Sequence, residues 1–423
     1  MPFDSAAIRN EFPSINLCDG GLPRIYFDNP AGTQVPRRVI EQISDCLVRA
    51  NANLGGHFAS SRMACELVDA AHQAMADFLG AGSAEEIVFG QNTTSLIFHI
   101  SRSIGRTLSP GDEIVLTRMD HDANIGPWLM LAEDLGLKVR WWEVDTATFE
   151  LDINALEPLL GERTRLVAVN HASNALGTVT DVAAVVERAH AHNALVFVDS
   201  VQYAPHALID VRALGCDFLV CSPYKFYGPH QGVLWGRREL LEGLTAYRVR
   251  PAGDVLPHKF ETGTLSHEGM AGTLGAVEHI AWVGQAMGGL AADSGRRTQL
   301  RRAFELLQGH ENELVRALLA GLAKLPGLRV LGITDPARMA WRVPTVSFVR
   351  EQHTPEAIVR ELARHNIFAW NGHNYALELY RQLGMERSGG VRIGFAQYNT
   401  LAEVEQLLEV LGAMVYEAFY NPD

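Results

Sequence analysis

Five stretches of this chain place reactive side chains directly after short apolar runs. The run 218–221 leads into Ser222-Pro223-Tyr224-Lys225-Phe226-Tyr227-Gly228-Pro229, so Lys225 stands among aromatic residues. A lysine in apolar surroundings loses its proton readily and becomes an amine able to form a Schiff base, although most lysines are only solvated surface charges. The run 195–198 ends in Asp199, followed by Ser200-Val201-Gln202. A carboxylate there can pair with a protonated heterocyclic nitrogen while Gln202 donates to a nearby oxygen; capping a helix is the plainer use of such an aspartate. The run 166–169 ends in Asn170-His171-Ala172-Ser173-Asn174, with Gly177 beyond, which brings an amide and a hydroxyl to the same rim. After 114–116 comes Asp120-His121-Asp122-Ala123-Asn124. His121 can stack on an aromatic ring, orient a proton, or join its acidic neighbours at a metal, but a metal needs further ligands at suitable spacing, and none is expected. Finally, Gly90-Gln91-Asn92-Thr93-Thr94-Ser95 follows the apolar 87–89 and opens an expected helix. Backbone N–H groups and hydroxyls there suit a phosphate, with a plain Thr or Ser cap as the alternative.

Ligands of open parallel sheets collect outside the carboxyl ends of the strands, so these residues require such a sheet to bring them together. The apolar runs at 113–116, 166–170, 195–199 and 218–221 lack polar alternation, as strands buried on both faces do. Residues 182–193 read as a crossover helix and 155–160 as a shorter one, within a sheet region from about 26 to about 257. From about 293 the pattern changes to a charged amphipathic stretch reaching 325, then strands at 328–331, 345–349 and 391–395 with helices at 355–365 and 401–416. The expected fold is α/β, a mainly parallel sheet domain with a smaller α+β C-terminal domain. The expected division is an N-terminal segment, 1–25, packing with the small domain, a large domain over 26–290 and the small domain over 291–423.

Length and charge bound the function. A chain of 423 residues with a 47 % hydrophobic share can bury a large core and suits one large domain plus one smaller. Asp and Glu number 49 against 36 Lys and Arg, a net charge of −13, which argues against broad binding to nucleic acid or an anionic membrane. The opening Met-Pro-Phe-Asp-Ser has no basic segment followed by an apolar stretch, and no apolar run approaches the ~18 residues of a membrane span, so a soluble cytoplasmic protein is expected. Five cysteines, an odd number without CxxC spacing, point to reduced thiols, mostly buried. Neither GxxxxGK[ST] nor GxGxxG occurs, which favours a phosphate-bearing cofactor other than a nucleoside triphosphate or a dinucleotide.

In this order the residues resemble the class V aminotransferase family of pyridoxal-phosphate (PLP) enzymes, and within it the cysteine desulfurase and selenocysteine lyase branch. The likeness covers nearly the whole chain. It runs through Tyr26-Phe27-Asp28-Asn29-Pro30-Ala31-Gly32-Thr33-Gln34, Thr93-Thr94, Gly111-Asp112-Glu113-Ile114, then His121 and Asn124, 170–177, 199–202, 222–229, Phe260-Glu261-Thr262-Gly263-Thr264 and 392–400. It implies the type I PLP fold, with Lys225 as the Schiff-base lysine that also moves the substrate's α-proton and Asp199 as the partner of the ring nitrogen. It further implies that His121 stacks on the ring, that Asn174 and Gln202 reach its phenolic oxygen, and that Thr94 and Ser222, assisted by Thr93, hold the phosphate. Tyr224 stands where the branch commonly has a histidine, with a hydroxyl that can still serve the phosphate. Thr264 would arrive from the second subunit of a homodimer, and Arg392 would clamp the substrate carboxylate through two parallel hydrogen bonds.

Two departures bear on the reaction. Desulfurases of this branch carry sulfur as a persulfide on a cysteine of a small-domain loop; the matching segment here is Asn371-Gly372-His373-Asn374-Tyr375, with Tyr375 at that place and no cysteine after Cys221. The segment Asn53-Leu54-Gly55-Gly56-His57-Phe58 lacks the branch's usual His-Arg pair. The expectation is therefore a lyase that eliminates a β-substituent from an amino acid without a persulfide relay. Epimerisation or transamination is the alternative, with Tyr375, His57 or His373 as a second proton donor near the substrate. A non-catalytic scaffold is a remote third reading, disfavoured by the joint presence of Lys225, Asp199, His121 and Arg392.

Overall fold

The computed structural model describes residues 3–291 and 293–417. Seven strands form the principal sheet, in the order Ile87–Gly90, Gly232–Gly236, Phe218–Cys221, Leu195–Asp199, Thr164–Asn170, Glu113–Thr117 and Lys138–Trp142. All run one way except Gly232–Gly236, which is antiparallel to both neighbours. Successive side chains of a strand point to opposite faces, and here both faces are covered. Val167, Val169, Val196, Val198 and Leu219 feed one apolar cluster, shared with the helices Ala59–Leu79, Val182–Ala191 and His267–Ala286. Leu166, Ala168, Phe197, Phe218 and Val220 feed the other, against Thr93–Gly105 and Gly126–Leu135. That two-sided burial is why these runs carry no polar alternation.

A second sheet of four antiparallel strands has the order Leu328–Leu331, Thr345–Arg350, Gly390–Gly394 and Trp370–Gly372. Its core is closed by Ile358 and Leu362 of helix Pro355–Arg364 and by Val404, Leu407 and Leu411 of helix Leu401–Glu417. The 27-residue helix Arg296–Leu322 joins both cores: Leu300, Phe304 and Leu307 lie in the first, Leu314, Val315 and Leu318 in the second. The start of the chain also touches both. Ile8, Phe12 and Ile15 are buried in the large core, whereas Ile25–Tyr26 pairs in parallel with Ile367–Phe368.

The expected helix at 155–160 is replaced by two 3₁₀ turns, Ile153–Ala155 and Glu157–Leu159. Pro158 lacks an N–H donor and disfavours helical geometry at the residue before it, so an α-helix cannot propagate through this segment. Among the described residues no helix is long and apolar enough to cross a membrane.

Candidate active site

The strand ends singled out above meet at one edge of the principal sheet, around one cavity. Thr93, Thr94, His121, Asn170, Asn174, Asp199, Gln202, Ser222, Tyr224 and Lys225 all line it. They end or follow five strands, and the register fixes their spacing: Asn170 lies opposite Asp199, and Asp199 opposite Val220.

Lys225 closes the short turn Pro223–Lys225 beyond strand Phe218–Cys221 and is 8 % exposed. Its Nζ donates to the Ala31 carbonyl at 3.0 Å and to that of Pro30. Burial, reinforced by the Arg392 guanidinium and opposed by Asp28 and Asp199, pushes its pKa down to about 7. The amine is thus available uncharged near neutrality.

Asp199 accepts one hydrogen bond, from the Val201 N–H at 2.9 Å. Burial pushes its carboxyl up to about 6, against the pull of that bond and of Lys225. A buried carboxylate so poorly solvated gains most from a cationic partner, which a protonated ring nitrogen would supply.

At the opposite end of the cavity, Thr93 Oγ1 and Ser222 Oγ lie 2.6 Å apart. The Asn92 side chain caps Ser95 N at 2.8 Å, which leaves the N–H groups of Thr93 and Thr94 for an anion at the start of the 13-residue helix Thr93–Gly105. Strand Gly232–Gly236 passes directly beneath: a Cβ on Gly232 would lie 2.6 Å from Thr93 N and against the Asn92 carbonyl carbon. The residues present therefore fit pyridoxal phosphate at both its phosphate and its ring nitrogen.

Between these ends, His121 Nδ1 accepts from Ala123 N at 3.0 Å, so the ring's proton sits on Nε2. Burial, followed by Lys225 and Arg392, pushes its pKa down to about 3, which makes it a neutral stacking surface. Gln202 Nε2 donates to Thr345 Oγ1 at 2.9 Å and its Oε1 has no partner. Because a hydroxyl can donate or accept, the amide can turn to present Nε2 to a phenolic oxygen. Asn174 is more constrained, since Nδ2 donates to the Asn374 carbonyl at 2.7 Å.

Arg392 lies in strand Gly390–Gly394, 4 % exposed, and donates from Nη1 to the Asn174 carbonyl at 3.1 Å. Its Nε is buried without a partner. Tyr375 sits in a loop with left-handed backbone at Asn374 and Tyr375. Its ring stacks on His121 at 5.3 Å, although 67 % of the residue is exposed. The Tyr224 ring lies 4.9 Å from Lys225 Nζ and stacks on His230.

Of the expected site residues, Arg392 and Tyr375 do not line the cavity but touch its wall at Asn174 and His121, and His57 and Thr264 lie away from it. His57 is exposed on the segment before helix Ala59–Leu79. Thr264 is exposed and borders two other depressions, one with Glu261 and His267, the other with His99 and His230. Among the described residues no group of three or more His, Cys, Asp or Glu is placed to hold a metal.

The structure adds two residues that the sequence reading left out of the site. Asp120, fully buried, accepts from Asn124 Nδ2 at 2.7 Å, from Asn170 N at 3.1 Å and from Thr117 Oγ1, and so ties the loop carrying His121 to the end of the adjacent strand. Asp28 lies 3.9 Å from Arg392. It follows an apolar segment as Asp199 does, but its partner is 364 positions away, and local pattern carries no signal of that.

Residues 25–407 match the family model "Aminotransferase class-V". A cysteine desulfurase of Synechococcus elongatus is 34 % identical over 96 % of this chain, and the chain spans 63 % of that relative's length. An aminotransferase-like protein, FGM3, of Gibberella zeae is 33 % identical over 97 % of this chain and 98 % of its own. Among solved structures, the apo cysteine desulfurase of Thermococcus onnurineus superposes with a TM-score of 0.85 at 29 % identity, covering 97 % of this chain and 98 % of that one. The cysteine desulfurase CsdA of Escherichia coli gives 0.82 at 28 % identity and 99 % coverage of both. The shared sheet, the buried lysine and the match along almost the whole sequence place this chain in the class V aminotransferase family of pyridoxal-phosphate enzymes.

Proposed function

We propose that the protein is a lyase acting on an amino acid with a leaving group on Cβ, such as cysteine or a thioether or sulfoxide derivative of it, without a persulfide relay. The observation that carries this reading is that Lys225 and Asp199 line one cavity while Tyr375, a phenol in place of a thiol, stacks on His121 in its wall. Pyridoxal phosphate, when bound, supplies an aldehyde for the lysine and an electron-withdrawing ring that stabilises negative charge at Cα. Arg392 holds the substrate's α-carboxylate, and Lys225, uncharged near pH 7, takes the α-proton. Asp199 would hold the proton of the ring nitrogen, and the neutral His121 imidazole would pack on the ring.

Loss of the α-proton and of the Cβ substituent X, followed by addition of water, releases HX, pyruvate and ammonia. Relatives named cysteine desulfurase support a sulfur substrate, while Tyr375 cannot accept sulfur as a thiol does. The dimer implied by the family resemblance belongs to the same proposal, with Thr264 reaching the partner's phosphate. Epimerisation or transamination is the second reading, favoured by the stacking of the Tyr375 ring on His121. Incubating the purified holoenzyme with amino acids and assaying pyruvate, ammonia, sulfide or thiol, and stereochemistry decides between them. Pyruvate with stoichiometric thiol or sulfide is expected; racemised substrate or an exchanged amino group without pyruvate would overturn the lyase reading.

A further inference from the structure

Arg392 is a buried cation with few hydrogen bonds. Nη1 has the Asn174 carbonyl, Nε has no partner, and the nearest opposite charge is Asp28 Oδ1 at 3.9 Å from Nη2. Asp28 Oδ1 is itself buried without a hydrogen bond. The pair is held face to face by backbone. Gly394 N donates to the Phe27 carbonyl at 2.8 Å, and Asp28 bridges to Gly394, two residues along the strand from Arg392. The same turn supplies the Pro30 and Ala31 carbonyls that hold Lys225. One short segment thus lies against both the carboxylate-binding and the amine-binding ends of the substrate position.

We propose that Asp28 is the resting counter-ion of Arg392, and that an incoming α-carboxylate replaces it by driving one proton onto the Asp28 carboxyl. The proposal rests on the reading of Arg392 as the carboxylate clamp and goes beyond it. Two carboxylates at one poorly solvated guanidinium repel each other, and the one that can become neutral without losing the guanidinium is the residue already short of hydrogen bonds. The groups facing Asp28 are the Arg392 guanidinium from the small-domain strand, Lys225 from the large-domain loop and the Tyr26 phenol two residues before it. Burial pushes Asp28 up to about 6, against the opposing pull of Arg392 and Lys225. Tyr26 is likewise pushed up, to about 12 and so out of this range, first by burial and then by Asp28.

Propionate, a carboxylate without the reactive amine, is the probe. Calorimetry of the holoenzyme at pH 8 in two buffers of different ionisation enthalpy should show close to one proton taken up per propionate bound. The Kd should rise by up to about tenfold per pH unit above pH 6.5. In the isosteric variant D28N, uptake should fall to near zero and the Kd should vary less than about threefold over the same range. Saturable binding without proton uptake in the natural protein, or uptake that persists in D28N and therefore belongs to another group such as Lys225, overturns the assignment of Asp28 alone. No saturable propionate binding at any pH, together with an unchanged KM for amino acids in R392A, overturns the Arg392 reading as well.

Discussion

The depressed basicity of Lys225 has a consequence that can be read one lysine at a time. The sequence contains only four lysines, Lys138, Lys225, Lys259 and Lys324, so the reactivity of each is separable by peptide mass spectrometry. With a pKa of about 7 instead of the ordinary 10.5, the neutral fraction of Lys225 at pH 7.5 is about three quarters, against about one part in 1,000 for an ordinary lysine. That is an advantage of roughly 700-fold in available amine. A less basic amine is also a weaker nucleophile; if the dependence is like that of thiols, with a slope of about 0.4, the rate advantage falls to about 30-fold. Reductive methylation of the apoprotein with formaldehyde and cyanoborohydride reads this directly. Lys225 should label about 30 times faster than the exposed Lys138 at pH 7.5, with its own pH–rate profile half-maximal near 7. The causes of the shift set the signs for variants. R392M removes a neighbouring cation and should move the midpoint up, whereas D199N removes a carboxylate that favours the charged form and should move it down. A midpoint near 10 in the natural protein, or labelling no faster than Lys138, would refute the assignment of Lys225 as a desolvated nucleophile.

Asp199→Ala should lower kcat by at least ~10²-fold with the protein still folded, as the loss of one preorganised electrostatic partner does elsewhere; steady-state kinetics beside circular dichroism checks both halves. Gly232→Ala drives a methyl into the backbone at Asn92 and Thr93, so affinity for pyridoxal phosphate should fall more than about tenfold, measured by cofactor titration against absorbance. Tyr375→Cys places a thiol on the exposed loop beside His121. With cysteine as substrate, attack of that thiolate on the substrate sulfur, the C–S bonding pair passing to carbon and alanine being released in place of pyruvate, should leave a persulfide that alkylation traps in the variant and not in the natural protein; equal trapping in both would show that sulfur is carried somewhere else.

The parts of the molecule legible in the sequence are those in which one residue run makes one physical decision. Leu195 to Asp199 is apolar throughout because both faces are covered, and its polar last residue marks the rim, so the strand and its role are read together. The same logic locates Lys225, Asn174 and His121 on the cavity wall. It fails where amphipathic or mixed runs hide an element. The edge strand Lys138–Trp142 alternates exposed and half-buried residues and was not expected, and helix His267–Ala286, buried on nearly every side, has no polar stripe to reveal its period. Glycines on that helix let another helix approach: a Cβ on Gly272 would lie 2.9 Å from Ile43, and one on Gly275 3.2 Å from the Val39 Cα. Nothing in the local sequence announces that contact.

The surroundings of Arg392 expose a deeper limit, because they are made by closure of the chain on itself. Asn174, after strand Thr164–Asn170, donates its amide to the Asn374 carbonyl and accepts at its own carbonyl from Arg392, both about 200 positions further along the chain. Gly177, in the same loop at φ +76°, lies so close to the segment entering strand Thr345–Arg350 that an added Cβ would stand 2.9 Å from the Val343 carbonyl. The geometry around Arg392 is therefore set by how the second sheet seats on this loop and on the Asp28 turn, which are separated by about 145 residues. Single residue types announce that a carboxylate can be bound. Which carboxylates are accepted, and at what pH, depends on tertiary contacts among three distant segments, and it is there that a protein keeping its cofactor chemistry can change its substrate.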